Sequence, residues 1–283
     1  MKTKIAILTD SSSSIYNIKH EYNNIFMINL PCFLGSDVYT DFEKFGNEQF
    51  YNALKSSVDV PKTSQPSMGE VLTTFEMIKD LGYTDIVFLC ISKELSGTYQ
   101  NAMIAKEMID DINIEIVDTL TTVSILTSMV LDAARISNNG GTVTDILKHI
   151  DFIKQNWQYF LTVDNLTYLI KNGRLSNAKG LVANILKIKP VIEFSRDGKL
   201  ISTETVRTYK KALIKIVDML VGKVNVNTGV VHVSYTDNTK DLEFVLEIIK
   251  DKLPNIKIEV FNIPATVVAH LGLSVIGVGY INY

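Results

Sequence analysis

The sequence has few of the features that mark a secreted or membrane-spanning protein. Its 283 residues include two cysteines, Cys32 and Cys90, which lie far apart and outside any Cys-x-x-Cys spacing. This usage is typical of buried thiols in a reducing compartment. No apolar run reaches the length of about 18 residues that a membrane span needs, and the apolar segment near the N-terminus is too short for a signal peptide. We therefore expect a cytoplasmic protein without a membrane span.

Signals for metals and nucleotides are also missing. The histidines, His20, His149, His232 and His270, lack the paired spacing of metal ligands. There is no Gly-x4-Gly-Lys phosphate loop, and residues 277–279 (Gly-Val-Gly) lack the third glycine and the following helix of a dinucleotide fingerprint. We therefore expect neither a metal nor a cofactor.

Positive charge is limited as well. The formal net charge is −3 and the sequence pI is about 5.9, which argues against a general nucleic-acid binder. Of the 28 basic residues, four are arginines: Arg135, Arg174, Arg196 and Arg207. A guanidinium pairs with carboxylate or phosphate better than an ammonium does. These arginines are therefore the first candidates for recognising an anion.

The first half of the chain predicts an α/β domain. Residues 86–91 form an unbroken apolar run, which is typical of a strand buried on both faces of a parallel sheet. Strands alternate with amphipathic helices, which indicates a parallel sheet in a three-layer domain. The helix after Gly97 is expected to bury Ala102, Ala105, Met108 and Ile109. The other predicted strands are residues 5–8, 25–30 and 112–117, with an extended segment at 33–39; the other predicted helices are 47–56, 68–80, 121–137 and 142–155.

The second half predicts a different architecture. Two strands flank the turn at residues 195–198 as a hairpin, and further strands are mixed with helices. We therefore expect an α+β domain with a mixed or antiparallel sheet, and domains at residues 1–156 and 157–283. The predicted strands are residues 159–163, 187–194, 200–207, 228–234, 256–262 and 273–281; the predicted helices are 164–171, 177–186, 208–221 and 241–253.

Two hydroxyl-rich loops are the main functional signal. Residues 96–98 (Ser-Gly-Thr) follow the strand 86–91 and begin a helix, and residues 63–67 (Thr-Ser-Gln-Pro-Ser) precede another. Ligands of open α/β sheets bind where strands end, and helix N-termini favour anions. A simpler explanation is that serines in these loops only cap the helices. Residues 9–14, after the first strand, present the same two alternatives.

These loops resemble the signature segments of the DegV family of bacterial fatty-acid-binding proteins, some of which carry the acyl chain for a fatty acid kinase. The second signature covers residues 91–100 (Ile-Ser-Lys-Glu-Leu-Ser-Gly-Thr-Tyr-Gln). One difference concerns the His-x-Gly-Pro-Gly sequence that the family often shows near its C-terminus, because residues 270–274 read His-Leu-Gly-Leu-Ser. Further similar segments are residues 164–169, 173–176, 188–191 and Arg207 with 210–212.

The resemblance implies a long-chain fatty acid whose carboxylate lies between the two domains and whose tail fills an apolar tunnel. It implies a carrier that presents this carboxylate to a separate kinase for acyl phosphate formation and has no catalytic residue of its own. Transient contact with a membrane surface is compatible with such a role. The implied carboxylate ligands are Thr63 and Ser96, and the implied neighbours of the head group are Ser64, Gly97, Thr98 and His270.

Arg174 and Arg207 lie in segments that resemble the family. By that resemblance they would contact the kinase or a phosphorylated acyl head; the alternative is that they are ordinary surface or capping arginines. A different function also fits the residues, namely a hydrolase or acyltransferase with Ser96 as nucleophile and His270 as base. However, no Gly-x-Ser-x-Gly elbow surrounds Ser96. A sugar- or phosphate-binding domain is a third possibility.

Overall fold

The computed structural model describes residues 3–40, 47–178 and 188–283. In chain order, its strands are β1 (Ile5–Asp10), β2 (Ile25–Ile28), β3 (Cys32–Leu34), β4 (Asp37–Tyr39), β5 (Lys62–Thr63), β6 (Asp85–Cys90), β7 (Asn113–Asp118), β8 (Trp157–Val163), β9 (Lys189–Phe194), β10 (Leu200–Val206), β11 (Gly229–Tyr235), β12 (Lys257–Asn262) and β13 (Val275–Asn282). Its helices are α1 (Glu48–Ser56), α2 (Met68–Asp80), α3 (Thr98–Lys106), α4 (Val123–Asn138), α5 (Val143–Gln155), α6 (Thr167–Lys171), α7 (Tyr209–Val221), α8 (Thr239–Lys252) and α9 (Ala265–Leu271).

The N-terminal part is built on a parallel sheet with the strand order β2-β1-β6-β7. Its central strands are apolar along their length because helices cover both faces. On one face, Leu8 and Phe88 pack with Phe75 of α2. On the other face, Ile7 and Leu89 belong to a second cluster that includes α4. The predicted parallel α/β architecture is confirmed.

The C-terminal sheet has the order β10-β9-β8-β13-β11-β12, in which β11 and β12 pair in parallel and the other neighbours are antiparallel. Helices α7 and α8 cover one face through a cluster that contains Phe160, Val231 and Val233. The opposite face meets α4 of the N-terminal part. The predicted mixed sheet is therefore confirmed. The boundary at residue 156 stays a prediction, because one buried cluster contains side chains from both parts.

Helix α4 lies between the two sheets. Every residue from Val123 to Val130 is buried, so this helix has no solvent-exposed face along its first two turns. A helix that is buried on all sides in this way is expected in the centre of a protein. Its polar members, Ser124, Thr127 and Ser128, carry only small hydroxyl side chains. It is the structural element that the two sheets share.

Several predictions differ from the structure. The extended segment 33–39 is a hairpin, β3 and β4, and β5 joins it in a small antiparallel sheet. Helix α9 was not predicted, since it is short and its Thr and Val residues favour strands. Met108 is 61% exposed, because α3 ends at Lys106. The predicted helix 177–186 falls almost entirely outside the described residues.

The two cysteines have the burial that their positions in the sequence indicate. Cys32 and Cys90 are free, buried thiols, and burial raises the pKa of each. Within the described ranges, no helix has both the length and the apolar character required to cross a bilayer. The same part of the chain contains no group of three or more His, Cys, Asp or Glu side chains arranged to hold a metal ion.

Candidate functional site

A narrow apolar cleft lies between the carboxyl ends of the parallel strands and the inner face of the C-terminal sheet. Its empty space, counted out to the open mouth, is about 700 Å³. Such a strand-end position is where ligands of open α/β sheets bind. The described lining is Ser12, Leu30, Thr63, Ile91, Leu95, Ser96, Thr122, Val123, Tyr159, Leu161, Arg174, Phe194, Leu200, Ile263, Thr266, Val267, His270, Leu271 and Val275.

A buried carboxylate connects two of the loops that form this cleft. Asp10, at the end of β1, accepts hydrogen bonds from the backbone N–H of Ile91 at 2.8 Å and from the backbone N–H of Ser12 at 3.0 Å. The Ser12 hydroxyl donates to it as well. Burial raises the pKa of Asp10, and these hydrogen bonds oppose the rise. Asp10 therefore fixes the loops after β1 and β6 relative to each other.

The serine run after β1 holds helix α9 in place. The Ser14 hydroxyl donates to the carbonyl of Asn262 at 2.9 Å, and the Thr266 hydroxyl donates to the carbonyl of Ser11 at 2.8 Å. The side chain of Asn47 accepts from the backbone N–H of Ala265 at 2.9 Å, which caps α9 from a distant part of the chain. This serine run is therefore neither a simple helix cap nor, except for Ser12, part of the cleft wall.

Two hydroxyl side chains from separate loops line the cleft, and one of them contacts His270. The Thr63 Oγ1 lies 2.7 Å from Nε2 of His270, and the Ser96 Oγ lies 2.9 Å from Oγ1 of Thr98. Thr63 is fixed by the pairing of β5 with Cys32 of β3. Gly97, not Ser96, is the N-cap of α3. Ser96 still accepts a long hydrogen bond of 3.4 Å from the backbone N–H of Thr98, so it caps the first turn of α3 only weakly, whereas Ser67 forms a complete capping box on α2.

His270 is neutral near pH 7. Burial, and secondly the positive charge of Arg174, lower its pKa to about 4. Its Nδ1 is buried and has no hydrogen-bond partner among the described residues. The proton is best placed on Nε2, since the other tautomer would bury an unpaired N–H. His270 then donates to Thr63, and the hydroxyl hydrogen of Thr63 is left for a ligand.

Most other hydroxyls on the wall have their hydrogens directed to the protein. Ser12 donates to Asp10, Thr122 donates to the carbonyl of Ser12, and Thr266 donates to that of Ser11. These three hydroxyls therefore have no hydrogen left to donate to a ligand. The capacity to donate to an anion is concentrated at Thr63 and Ser96.

Arg174 places a positive charge beside these hydroxyls. Its Nε donates to the carbonyl of Leu95 at 3.3 Å, and its Nη1 donates to the carbonyl of Asn172 at 2.6 Å. The described lining of the cleft contains no acidic side chain. The charge of Arg174 is therefore available to an anionic ligand.

The other predicted site residues lie at varying distances from the cleft. Thr98 is buried and lies outside the described lining of the cleft, but its hydroxyl contacts the hydroxyl of Ser96, which belongs to the lining. Gly97 is packed against Gln65 of the other loop, since a Cβ there would lie 1.7 Å from the Gln65 Oε1. Ser64 is exposed and outside the lining, as is Arg207 at the end of β10.

The altered C-terminal loop still depends on its retained glycine. Gly272 has φ +78° and ψ −172°, a region reserved for glycine. Its added Cβ would lie 2.7 Å from the ring of Tyr168. Ser274 replaces the second glycine of the family sequence and adopts φ +59°, with its carbonyl accepting from the Tyr209 hydroxyl at 2.7 Å.

Sequence reasoning missed one strained residue on the wall. Val123 has φ +52°, an unfavourable conformation for a β-branched residue. Its backbone N–H donates to the carbonyl of Ser12 at 3.0 Å. Backbone strain of this kind costs about 1–3 kcal/mol and is typical of functional sites. No local sequence signal identifies it.

The arrangement does not assemble a serine nucleophile. His270 hydrogen-bonds to Thr63, and the hydrogen bonds of the Ser96 hydroxyl within the described residues are to Thr98, which is not a base. A nucleophilic serine requires a base within hydrogen-bond reach and a third group that orients the base. The Nδ1 of His270 has no such partner in the described part of the chain. The geometry therefore favours binding of an anion over attack by Ser96.

A family model and the relatives of known sequence both match this chain along nearly its whole length. The family model described as "Uncharacterised protein, DegV family" matches residues 4–283. A DegV domain-containing protein of Staphylococcus aureus is 33% identical over 284 aligned residues, which cover 98% of this chain and 97% of that protein.

Solved structures agree with this assignment. A fatty acid binding DegV family protein from Streptococcus agalactiae has a TM-score of 0.91 at 26% identity, with 99% of both chains covered. The Streptococcus pneumoniae Fatty Acid Kinase B3 protein, loaded with linoleic acid, has a TM-score of 0.86 at 21% identity over 99% of this chain and 100% of that one, which is a likeness of fold. The chain belongs to the DegV family.

Proposed function

We propose that this protein binds a long-chain fatty acid, with the carboxylate at Thr63 and Ser96 and the tail in the apolar cleft. The observation that carries the proposal is the pair of hydroxyls from two separate loops on one otherwise apolar cleft. Arg174 supports it, because this cation has no acidic neighbour in the described lining. The relative from Streptococcus agalactiae is itself named as a fatty acid binding protein.

The energetics assign different tasks to the two ends of the ligand. Burial of one methylene contributes about 0.8 kcal/mol, so a tail of many methylenes supplies most of the affinity. A hydrogen bond to a charged group contributes about 1.5–3 kcal/mol. The hydroxyls therefore orient the carboxylate and favour a fatty acid over an apolar chain that has no charged head group.

The same proposal makes the protein a carrier that acts with a separate kinase. Its sequence contains no phosphate loop, so the phosphate of an acyl phosphate would come from a nucleotide bound to the partner. The support for this partner is the similarity of the signature segments to family members that serve a fatty acid kinase. Such a task also fits a cytoplasmic location. Arg207, exposed after β10, would contact the kinase, and Arg174 would contact the head group.

The ligand test combines two measurements. Mass spectrometry of the purified protein, native and then denatured, should release a stoichiometric fatty acid. The variant Thr63→Val with Ser96→Ala should then bind palmitate at least about a hundredfold more weakly, since it loses two hydrogen bonds to a charge. The control Ser64→Ala removes an adjacent exposed hydroxyl outside the cleft and should bind as the wild type does. Unchanged affinity in the double variant would refute the head-group assignment.

The partner test separates binding from coupling. Arg207→Ala should leave the affinity for palmitate unchanged, because the side chain lies outside the cleft lining. It should reduce acyl phosphate formation when a fatty acid kinase subunit and ATP are supplied. Equal turnover by wild type and variant would show that Arg207 is an ordinary surface arginine.

A further inference from the structure

Tyr159 is the last side chain of β8 that reaches the cleft. Tyr159 and Leu161 project from the same face of the strand and line the cleft, whereas Trp157, the next residue on this face, does not. Leu161 is nearer the carboxyl end of β8, from which the chain continues through α6 to Arg174. Tyr159 lies two residues, about 7 Å, further from that end. Tyr159 therefore lies further than Leu161 from the strand end that leads to Arg174.

The ring of Tyr159 rests on two glycines of the neighbouring strand. A Cβ on Gly277 would lie 2.2 Å from the Tyr159 hydroxyl oxygen, and the three nearest atoms to it all belong to Tyr159. A Cβ on Gly279 would lie 2.4 Å from Cδ2 of the same ring. These are the glycines of the Gly-Val-Gly segment that does not match a nucleotide fingerprint. Their missing side chains make the space in which the ring lies.

The hydroxyl of Tyr159 lies near two buried serines, Ser124 of α4 and Ser234 of β11. Neither serine hydroxyl has a hydrogen-bond partner within the described residues. Ser124 follows Val123, which lines the cleft. Beyond them lie Ser128 and the buried His232, whose Oγ and Nε2 are 3.4 Å apart. The ring therefore lies between the apolar cleft and a small group of buried polar side chains under α4.

We propose that Tyr159 closes the inner end of the cleft and sets the longest acyl chain that the protein accepts. This inference rests on the proposed fatty-acid-binding function and adds a specificity-determining residue to it. The glycines keep the ring close to the sheet, which leaves the cleft its full length. Shortening the side chain would extend the cleft along the trough over Gly277 and Gly279.

Two opposite perturbations follow. Tyr159→Ala should raise the chain-length limit, and each further methylene that finds apolar space should raise affinity about fourfold. Gly277→Ala should lower the limit, because the new Cβ displaces the ring away from the sheet and into the cleft. The double variant should again accept long chains, since the ring that the new methyl displaces is absent.

The experiment is a competition assay on delipidated protein with saturated straight-chain acids of twelve to twenty-two carbons. For Tyr159→Ala, we expect the affinity ratio of the twenty-carbon to the sixteen-carbon acid to rise at least about tenfold. For Gly277→Ala, this ratio should fall by a similar factor, and the double variant should resemble Tyr159→Ala. The control Gly69→Ala adds the same methyl group at an open position of α2 and should keep the wild-type limit. Tyr159→Leu provides a milder opening if Tyr159→Ala does not fold.

The outcomes distinguish a failure of the inference about Tyr159 from a failure of the proposed fatty-acid-binding function. If all variants bind palmitate with the same chain-length profile as the wild type, Tyr159 does not set the limit and the inference is wrong. If the delipidated wild type binds no fatty acid of the series, the proposed function itself fails. A changed limit in Gly277→Ala that persists in the double variant would also overturn the inference, because it would show that the ring is not involved.

Discussion

Two histidines, the buried His232 and the cleft residue His270, should make the folded state sensitive to mild acid. Burial lowers the pKa of His232 to about 4, and burial with the charge of Arg174 lowers that of His270 to about 4 as well. In the unfolded chain both return to about 6.5. Below that pH the unfolded state binds protons that the folded state does not, so stability falls as the pH falls from about 6.5 to about 4.

The size of the effect follows from these values. Between pH 7 and pH 5, a histidine with a pKa of 6.5 unfolded and about 4 folded lowers the free energy of unfolding by about 2 kcal/mol. Two such histidines lower it by about 4 kcal/mol. His270→Gln should therefore remove about half of that contribution. Comparison of wild type with variant cancels the carboxylates, which titrate equally in both.

The assay is urea unfolding of the delipidated protein at pH 7 and pH 5. The wild type should lose about 2 kcal/mol more stability than His270→Gln over this interval. The control His20→Gln removes an exposed imidazole and should behave as the wild type. If His270→Gln loses as much stability as the wild type, then His270 is not a buried neutral imidazole. The same measurement with palmitate should show a smaller acid loss, because a bound carboxylate favours protonation of His270.

Two further predictions concern the backbone around the site. Gly272→Ala should lower the free energy of unfolding by about 1–3 kcal/mol, since alanine is strained at φ +78° and its Cβ meets Tyr168. The control Gly69→Ala, on an open helical position, should not destabilise, and equal stability of the two variants would contradict this reasoning. Asp10→Ala should cost about 2–4 kcal/mol because it leaves the buried N–H groups of Ser12 and Ile91 without acceptors. A value under about 1 kcal/mol in chemical denaturation would show that Asp10 does not hold the two loops.

The main architecture was predictable from local patterns. The run 86–91 predicts a strand covered on both faces, and β6 is such a strand at Asp85–Cys90. The amphipathic segment 68–80 corresponds to α2 without a shift at either end. These predictions succeed because burial on one or both faces leaves a period in the sequence.

The arrangement of the site was less accessible. Thr63 and His270 are 207 residues apart, and their contact depends on how the two sheets pack. The position of Arg174 beside Leu95 depends on the same packing. Hydrophobic periodicity describes each element alone and contains no information about such pairs. The motif resemblance named Thr63, Ser96 and His270 as site residues, but not the hydrogen bond between Thr63 and His270.

The position of α4 has a mechanical consequence. Ile125, Leu126 and Met129 are fully buried in a helix that contributes to the cores on both sides. Pulling the two sheets apart would expose one side of α4, and each such side chain would cost about 1.5–3 kcal/mol. A hinge at residue 156 is therefore a poor route for exchange of a ligand. The two sheets are therefore expected to stay packed on α4. A ligand is expected to enter lengthwise through the mouth of the cleft.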